Sequence, residues 1–217
     1  MIKKIKLIIF ILLKYFNLVK INYKSNIKVN FGCDESNDFF IKKLKNSNLY
    51  LEYGSGNSTL IADSLNKEFI SIESDKHFFN FIKEKIKKKE NLRLKSFGIT
   101  GDYSTPLMFN ITKNFLKTKI KRYVSDVLNE FEVLKRYPDL ILIDGRFRVL
   151  CALSLHKFFL KKKEKPLIIV DDYKFRHQYH ILSKFFTIKI IGRFGVLENF
   201  LEVDTKDFIE RYIEDYN

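Results

Sequence analysis

The chain has 217 residues, 46% hydrophobic and 30% charged, which suits one globular domain with a sizeable core and excludes an intrinsically disordered chain. Its net charge is +14, but 32 of the 40 basic residues are Lys; an A/T-rich coding bias accounts for that more readily than a nucleic-acid or anionic-membrane surface does. Two cysteines, Cys33 and Cys151, make no disulfide or metal framework and fit a reducing, cytoplasmic setting.

Residues 1–22 contain the apolar run Leu7–Leu13, which Lys14 ends too early for a bilayer-spanning helix; no small-residue cleavage site follows. Lys3, Lys6, Lys14, Asn17 and Lys20 fall on one side of a helical projection, so the segment reads as an amphipathic helix. Two readings stay open: packing on its own domain or a second subunit, or peripheral contact with the inner membrane face. Residues 23–48 read as a connecting segment with a short helix around Asp38–Lys45.

From residue 49 to 217 the pattern becomes regular. Strands are expected at Leu49–Tyr53, Glu68–Glu73, Leu92–Phe97, Asp139–Asp144, Pro166–Asp171, Thr187–Ile191 and Val196–Leu201. Helices are expected at Ser58–Leu65, Asp75–Lys89, Arg146–Leu160 and Tyr173–Phe186. The interval 100–138 is too long for a plain loop and reads as two helices, Leu107–Lys117 and Arg122–Arg136, forming a lid over the carboxyl edge of the sheet. Strands alternating with helices predict an α/β fold. Its sheet is mostly parallel and seven-stranded, with one antiparallel strand near the C-terminus and helices on both faces.

The chemistry gathers at strand ends. Leu51-Glu52-Tyr53-Gly54-Ser55-Gly56-Asn57-Ser58-Thr59 joins a strand to a helix, where glycine allows a tight turn and a close approach of backbone to ligand. Glu73 ends the next strand, 17 residues after Gly56, a spacing that suits a carboxylate accepting two ribose hydroxyls. The third glycine of a dinucleotide fingerprint is replaced by Thr59, which points away from a pyrophosphate ligand. Glu52 is read either as a ligand-binding carboxylate or as a brace for the loop and helix.

YLEYGSGNSTL followed by FISIESD resembles the first two motifs of class I S-adenosylmethionine-dependent methyltransferases. DLILIDGRFRVLCAL and LIIVDDYKFRHQY resemble a little-characterised branch of that family, itself distantly similar to the glucuronoxylan 4-O-methyltransferases; the likeness spans about residues 49–201. The resemblance implies a Rossmann-like methyltransferase fold and S-adenosyl-L-methionine as cofactor. It implies a cofactor site made by Glu52, Gly54, Ser55, Gly56, Asn57, Ser58 and Glu73, with Phe97 and Gly98 beside the adenine and Asp144 at the reacting centre.

Asp144 and the pair Asp171-Asp172 end neighbouring strands, which predicts three carboxylates in one place. Two roles are open for them: ligands of Mg²⁺, as in catechol-type O-methyltransferases, or a general base without metal. Arg146, two residues after Asp144, is a candidate for binding an acidic acceptor or for an ion pair with Asp144 or Asp172. The expected activity is O-methylation of a small-molecule or carbohydrate hydroxyl. The alternatives are an RNA methyltransferase, or a non-catalytic membrane-surface protein that retains the fold.

Overall fold

The computed structural model describes residues 28–98 and 113–214. The amphipathic segment 1–22 lies outside the described residues, as does the first part of the expected lid, and among the described residues no helix is long and apolar enough to cross a membrane.

Seven strands form one sheet: β1 (Leu49–Tyr53), β2 (Glu68–Glu73), β3 (Leu92–Leu94), β4 (Leu140–Ile143), β5 (Leu167–Val170), β6 (Phe186–Ile191) and β7 (Phe194–Phe200). Their spatial order is β3-β2-β1-β4-β5-β7-β6, parallel except for β7, which runs antiparallel to both neighbours. The expected fold class is what the structure shows.

The helices are α1 (Asp34–Asn46), α2 (Asn57–Ser64), α3 (Lys76–Lys83), α4 (Lys113–Leu134), α5 (Arg148–Phe159) and α6 (Lys206–Glu214). Strand side chains alternate between faces, which builds two cores. Leu51, Tyr53, Ile72, Ile141, Ile143 and Val170 face one core with α4 and α5; Tyr50, Phe69, Leu142, Ile169 and Phe194 face the other with α1 and α2. Phe40 and Leu44 of α1 are fully buried, so this part of the expected connecting segment belongs to the domain.

Several expected elements differ. The two helices of the lid are, from Lys113 onward, one helix. Leu116, Ile120, Tyr123, Val127 and Phe131 lie buried along it and pack on the sheet, so α4 covers a face of the sheet rather than its carboxyl edge. The basic helix stops at Lys83, and farther on both oxygens of the Asp63 carboxylate accept backbone N–H groups, those of Lys87 and Lys88. The helix expected over Tyr173–Phe186 is instead two 3₁₀ segments, Tyr173–Phe175 and His177–Lys184, parted by extended Arg176. Finally, α6 follows the last strand, its Ile213 buried and Phe208 and Ile209 packed on the core.

Candidate functional site

The sheet reverses its order between β1 and β4, the switch point at which open α/β sheets bind ligands beyond their carboxyl ends. The ladder runs on one residue past the strands there. Gly54 N–H donates to the Ile72 carbonyl (2.8 Å), Asp144 N–H to Tyr53 (2.9 Å) and Asp171 N–H to Ile143 (3.1 Å). Glu73, Gly54, Asp144 and Asp171 therefore stand at one level along the edge.

On the β1 side, the turn after Tyr53 is shaped by glycine. Gly54 adopts φ +95°, and a Cβ there would lie 2.6 Å from the Cα and N of Gly145 after β4. Gly56 is extended, and a Cβ on it would meet nothing within 4 Å. It faces open space at the start of α2, where backbone can approach a ligand. Gly56 N–H donates to Thr59 Oγ1 (2.9 Å), so the residue replacing the third glycine caps the helix. Asn57 Nδ2 donates to the Lys28 carbonyl (3.2 Å).

Glu52 shares a sheet face with Tyr50, the face that α2 covers. Its buried carboxylate accepts hydroxyls from Tyr50 (2.7 Å), Ser58 (2.6 Å) and Thr59. Burial raises its pKa, and these donors oppose the rise. Of the two readings of Glu52, this geometry supplies the brace. Ser58 is committed to it, while Ser55 Oγ pairs with Ser71 Oγ at 2.7 Å.

Glu73 is the buried acid that borders the turn. One carboxylate oxygen accepts the Ser55 N–H (3.1 Å), and the other accepts Ser74 N–H (2.6 Å) and Asp75 N–H (2.7 Å). Burial pushes the group up to about 7 against the pull of those three amides. Phe97 is fully buried in the core, its ring edge-on to Tyr123 and Phe147, so it presents no exposed stacking surface. Gly98 beside it takes φ +100°.

Across the switch point the three expected carboxylates do come together, around two arginines. Arg148 reaches Asp144 Oδ1 (2.9 Å), Asp172 Oδ2 (3.4 Å) and Asp171 Oδ2 (3.6 Å), and donates to the Asp171 and Asp144 carbonyls (2.6 and 3.1 Å). Arg193, in the β6–β7 turn, pairs through Nε with Asp171 Oδ1 (2.8 Å) and through Nη2 with Asp172. Burial and the neighbouring Asp144 push Asp171 up to about 7, with Arg148 and Arg193 opposing. Asp144 is the most accessible of the three side chains, 34% exposed against 5% for Asp171 and 16% for Asp172.

Arg146 makes none of the expected ion pairs. Phe147 between the two arginines is left-handed (φ +56°), and that turn separates them. Arg148 and Arg193 were not among the expected site residues. Arg193 carried one signal, an arginine in a short glycine-flanked turn, but its partners lie 21 and 22 residues away.

By sequence, no protein-family model and no curated protein matches the chain. A solved structure does match it. It is a methyltransferase-like protein from Silicibacter pomeroyi DSS-3, similar at a TM-score of 0.69 and 24% identity over 87% of this chain and 99% of that one. The likeness is one of fold.

Two implied groups can be held against the residues. An S-adenosylmethionine site fits: Gly56 borders open space that a Cβ would enter, and the Glu73 carboxylate is oriented beside Ser55. A Mg²⁺ site on Asp144, Asp171 and Asp172 does not. Their carboxylate oxygens are engaged by guanidinium groups, and among the described residues no cluster of His, Cys, Asp and Glu is arranged to hold a metal.

Proposed function

We propose that this protein is an S-adenosylmethionine-dependent methyltransferase acting on a hydroxyl of a small-molecule or carbohydrate acceptor. One observation carries the reading. The Gly54–Gly56 turn and Glu73 stand level with Asp144 across the β1–β4 switch point, so a cofactor held on one side would face an accessible carboxylate on the other.

In this reading Glu73 accepts the ribose hydroxyls and the turn from Gly54 to Asn57 lines the methionine portion. Glu52 and Ser58 support that turn from beneath. The bound sulfonium supplies an activated methyl group. The chain's task is then to hold the acceptor oxygen in line with it and to take up the proton the hydroxyl loses as the C–O bond forms and the C–S bond breaks. Asp144 receives that proton, because its carboxylate is the open one of the three. Arg148, fixed by Asp171 and Asp172, holds Asp144 in place.

Isothermal titration with S-adenosylmethionine tests the cofactor, and saturable one-to-one binding is expected. A folded protein that takes up no cofactor at millimolar concentration would sink the reading. Incubating a cell extract with protein and methyl-labelled cofactor tests the acceptor: one small-molecule or carbohydrate component should gain a base-stable methyl group. Label found only in RNA would replace that acceptor class.

A further inference from the structure

Four guanidinium groups crowd the ends of β4 and β5, and three are accounted for. Arg148 and Arg193 bind the three carboxylates, and Arg176 pairs with Asp172 Oδ2 at 3.2 Å. Arg146 is the fourth. Among the described residues it makes no ion pair, and its Nε is buried without a hydrogen-bond partner. Its surroundings favour loss of charge: desolvation first, then the like charges of Arg148 and Arg176, offset by Tyr179 and Tyr123.

Tyr123 lies beside it. Its buried hydroxyl is oriented toward the Arg146 backbone, and a Cβ on Gly145 would fall 2.5 Å from it, so Gly145 and Arg146 directly after Asp144 pack against this phenol while the Arg146 Nε finds no partner. Arg148, Arg193 and Arg176 each meet a carboxylate, whereas among the described residues Arg146 meets none. A partly buried cation without a counterion is unfavourable unless something else supplies the anion. Guanidinium matches the planar, two-oxygen edge of a carboxylate or phosphate.

We infer that the acceptor carries an anionic group, a carboxylate or a phosphate, and that Arg146 receives it beside Asp144. The inference rests on the methyltransferase reading, which is what makes the space next to Asp144 the acceptor's. It also separates the two arginines after β4: Arg148 builds the site, and Arg146 selects what enters it.

The test is an NMR titration of the arginine Nε–Hε resonances of ¹⁵N-labelled wild-type protein. Inorganic phosphate and acetate serve as probes, with chloride as the ionic-strength control. The Arg146 resonance, assigned by its loss in Arg146→Lys, should move saturably with at least one probe. Which probe moves it distinguishes a phosphate-bearing from a carboxylate-bearing acceptor. In Arg146→Gln saturable binding should disappear, while S-adenosylhomocysteine titrated into the same variant binds as in wild type. No saturable shift with either probe, or unaltered anion binding in Arg146→Gln, overturns the inference even if cofactor binds. Anion binding by wild-type protein that takes up no S-adenosylhomocysteine would instead overturn the methyltransferase reading and leave Arg146 as the anion site of another activity. If Arg146→Gln does not fold, Arg146→Lys answers the same question through weakened anion binding.

Discussion

Gly54 and Gly145 are packed backbone to backbone: a Cβ on Gly54 would fall 2.6 Å from the Gly145 Cα, and one on Gly145 would fall 2.9 Å from the Gly54 nitrogen. These residues follow β1 and β4, so the contact closes the bottom of the cleft at the switch point. Gly54→Ala should destabilise the fold by about 1–3 kcal/mol, from a positive φ and a collision with backbone that cannot move aside. Differential scanning calorimetry reads this directly, and an unchanged melting temperature would mean the two loops are farther apart than described.

Gly56 makes the contrasting case. Its Cβ position is empty and its φ is extended, so Gly56→Leu should leave the melting temperature nearly unaltered. Cofactor affinity should fall by about tenfold or more, since the side chain fills the space the ligand is proposed to use. Normal binding by this variant would move the ligand away from the turn.

Glu52 and Glu73 are two buried acids flanking one turn, and they should respond differently to amide substitution. Glu52→Gln places an amide among three hydroxyls that all donate to the carboxylate, with an expected loss of about 1–3 kcal/mol in stability. Glu73→Gln should weaken the cofactor by about 1–3 kcal/mol through lost hydrogen bonds to a charged acceptor, and it should cost stability as well, because an amide NH2 then faces a backbone N–H that the carboxylate accepted. Denaturant melts and titration calorimetry on both variants separate the roles, and identical profiles would erase the distinction.

The elements most legible in the sequence are short, mostly buried strands with clear ends. β1 (LYLEY) and β2 (EFISIE) are closed by Gly54 and by Glu73-Ser74, and the expected bounds of both match the structure to the residue. The β1–β2 end of the candidate site was legible because one turn and one strand end form it. The β4–β5 end depends on side chains that periodicity does not direct. Phe147 in a left-handed conformation decides that Arg148 rather than Arg146 meets the carboxylates. Arg193 arrives from a different strand pair. A spacing of three between Tyr173, Arg176 and Tyr179 suits an α-helical face and a 3₁₀ turn alike, and the extended backbone at Arg176 then breaks the series.

Stability and binding should depend on pH in opposite directions. Glu73 and Asp171 are both pushed to about 7, above their ordinary 4.5 and 3.8, so between those limits the folded state binds more protons than the unfolded chain. Their contribution to stability is fully present below the ordinary values and is lost as pH rises through about 7. The melting temperature of the ligand-free protein should therefore fall over that window, and less steeply in Glu73→Gln. Ribose hydroxyls donating to Glu73 favour its ionised form, so cofactor affinity should rise with pH up to about 7 and level off above it. A pH-independent affinity in wild-type protein would remove Glu73 from the ribose.

Asp144 can be tested against both the metal and the general-base roles. Its carboxylate is the exposed member of the cluster and is held by Arg148 at 2.9 Å, so Asp144→Asn keeps the shape and removes the charge. Turnover should fall by about 10²–10⁴-fold, the range for losing acid–base assistance, with cofactor affinity unaltered. The melting temperature should also change little, because Arg148 keeps its bonds to Asp172 and to the Asp171 carbonyl. A chelator adds an independent readout. With guanidinium groups in the positions where a cation would sit, EDTA should leave the wild-type rate as it was; a collapse restored by Mg²⁺ would require Arg148 or Arg193 to swing away and would overturn the arginine-held arrangement. Turnover unaffected in Asp144→Asn would take Asp144 out of the chemistry and leave it as one more anchor for Arg148.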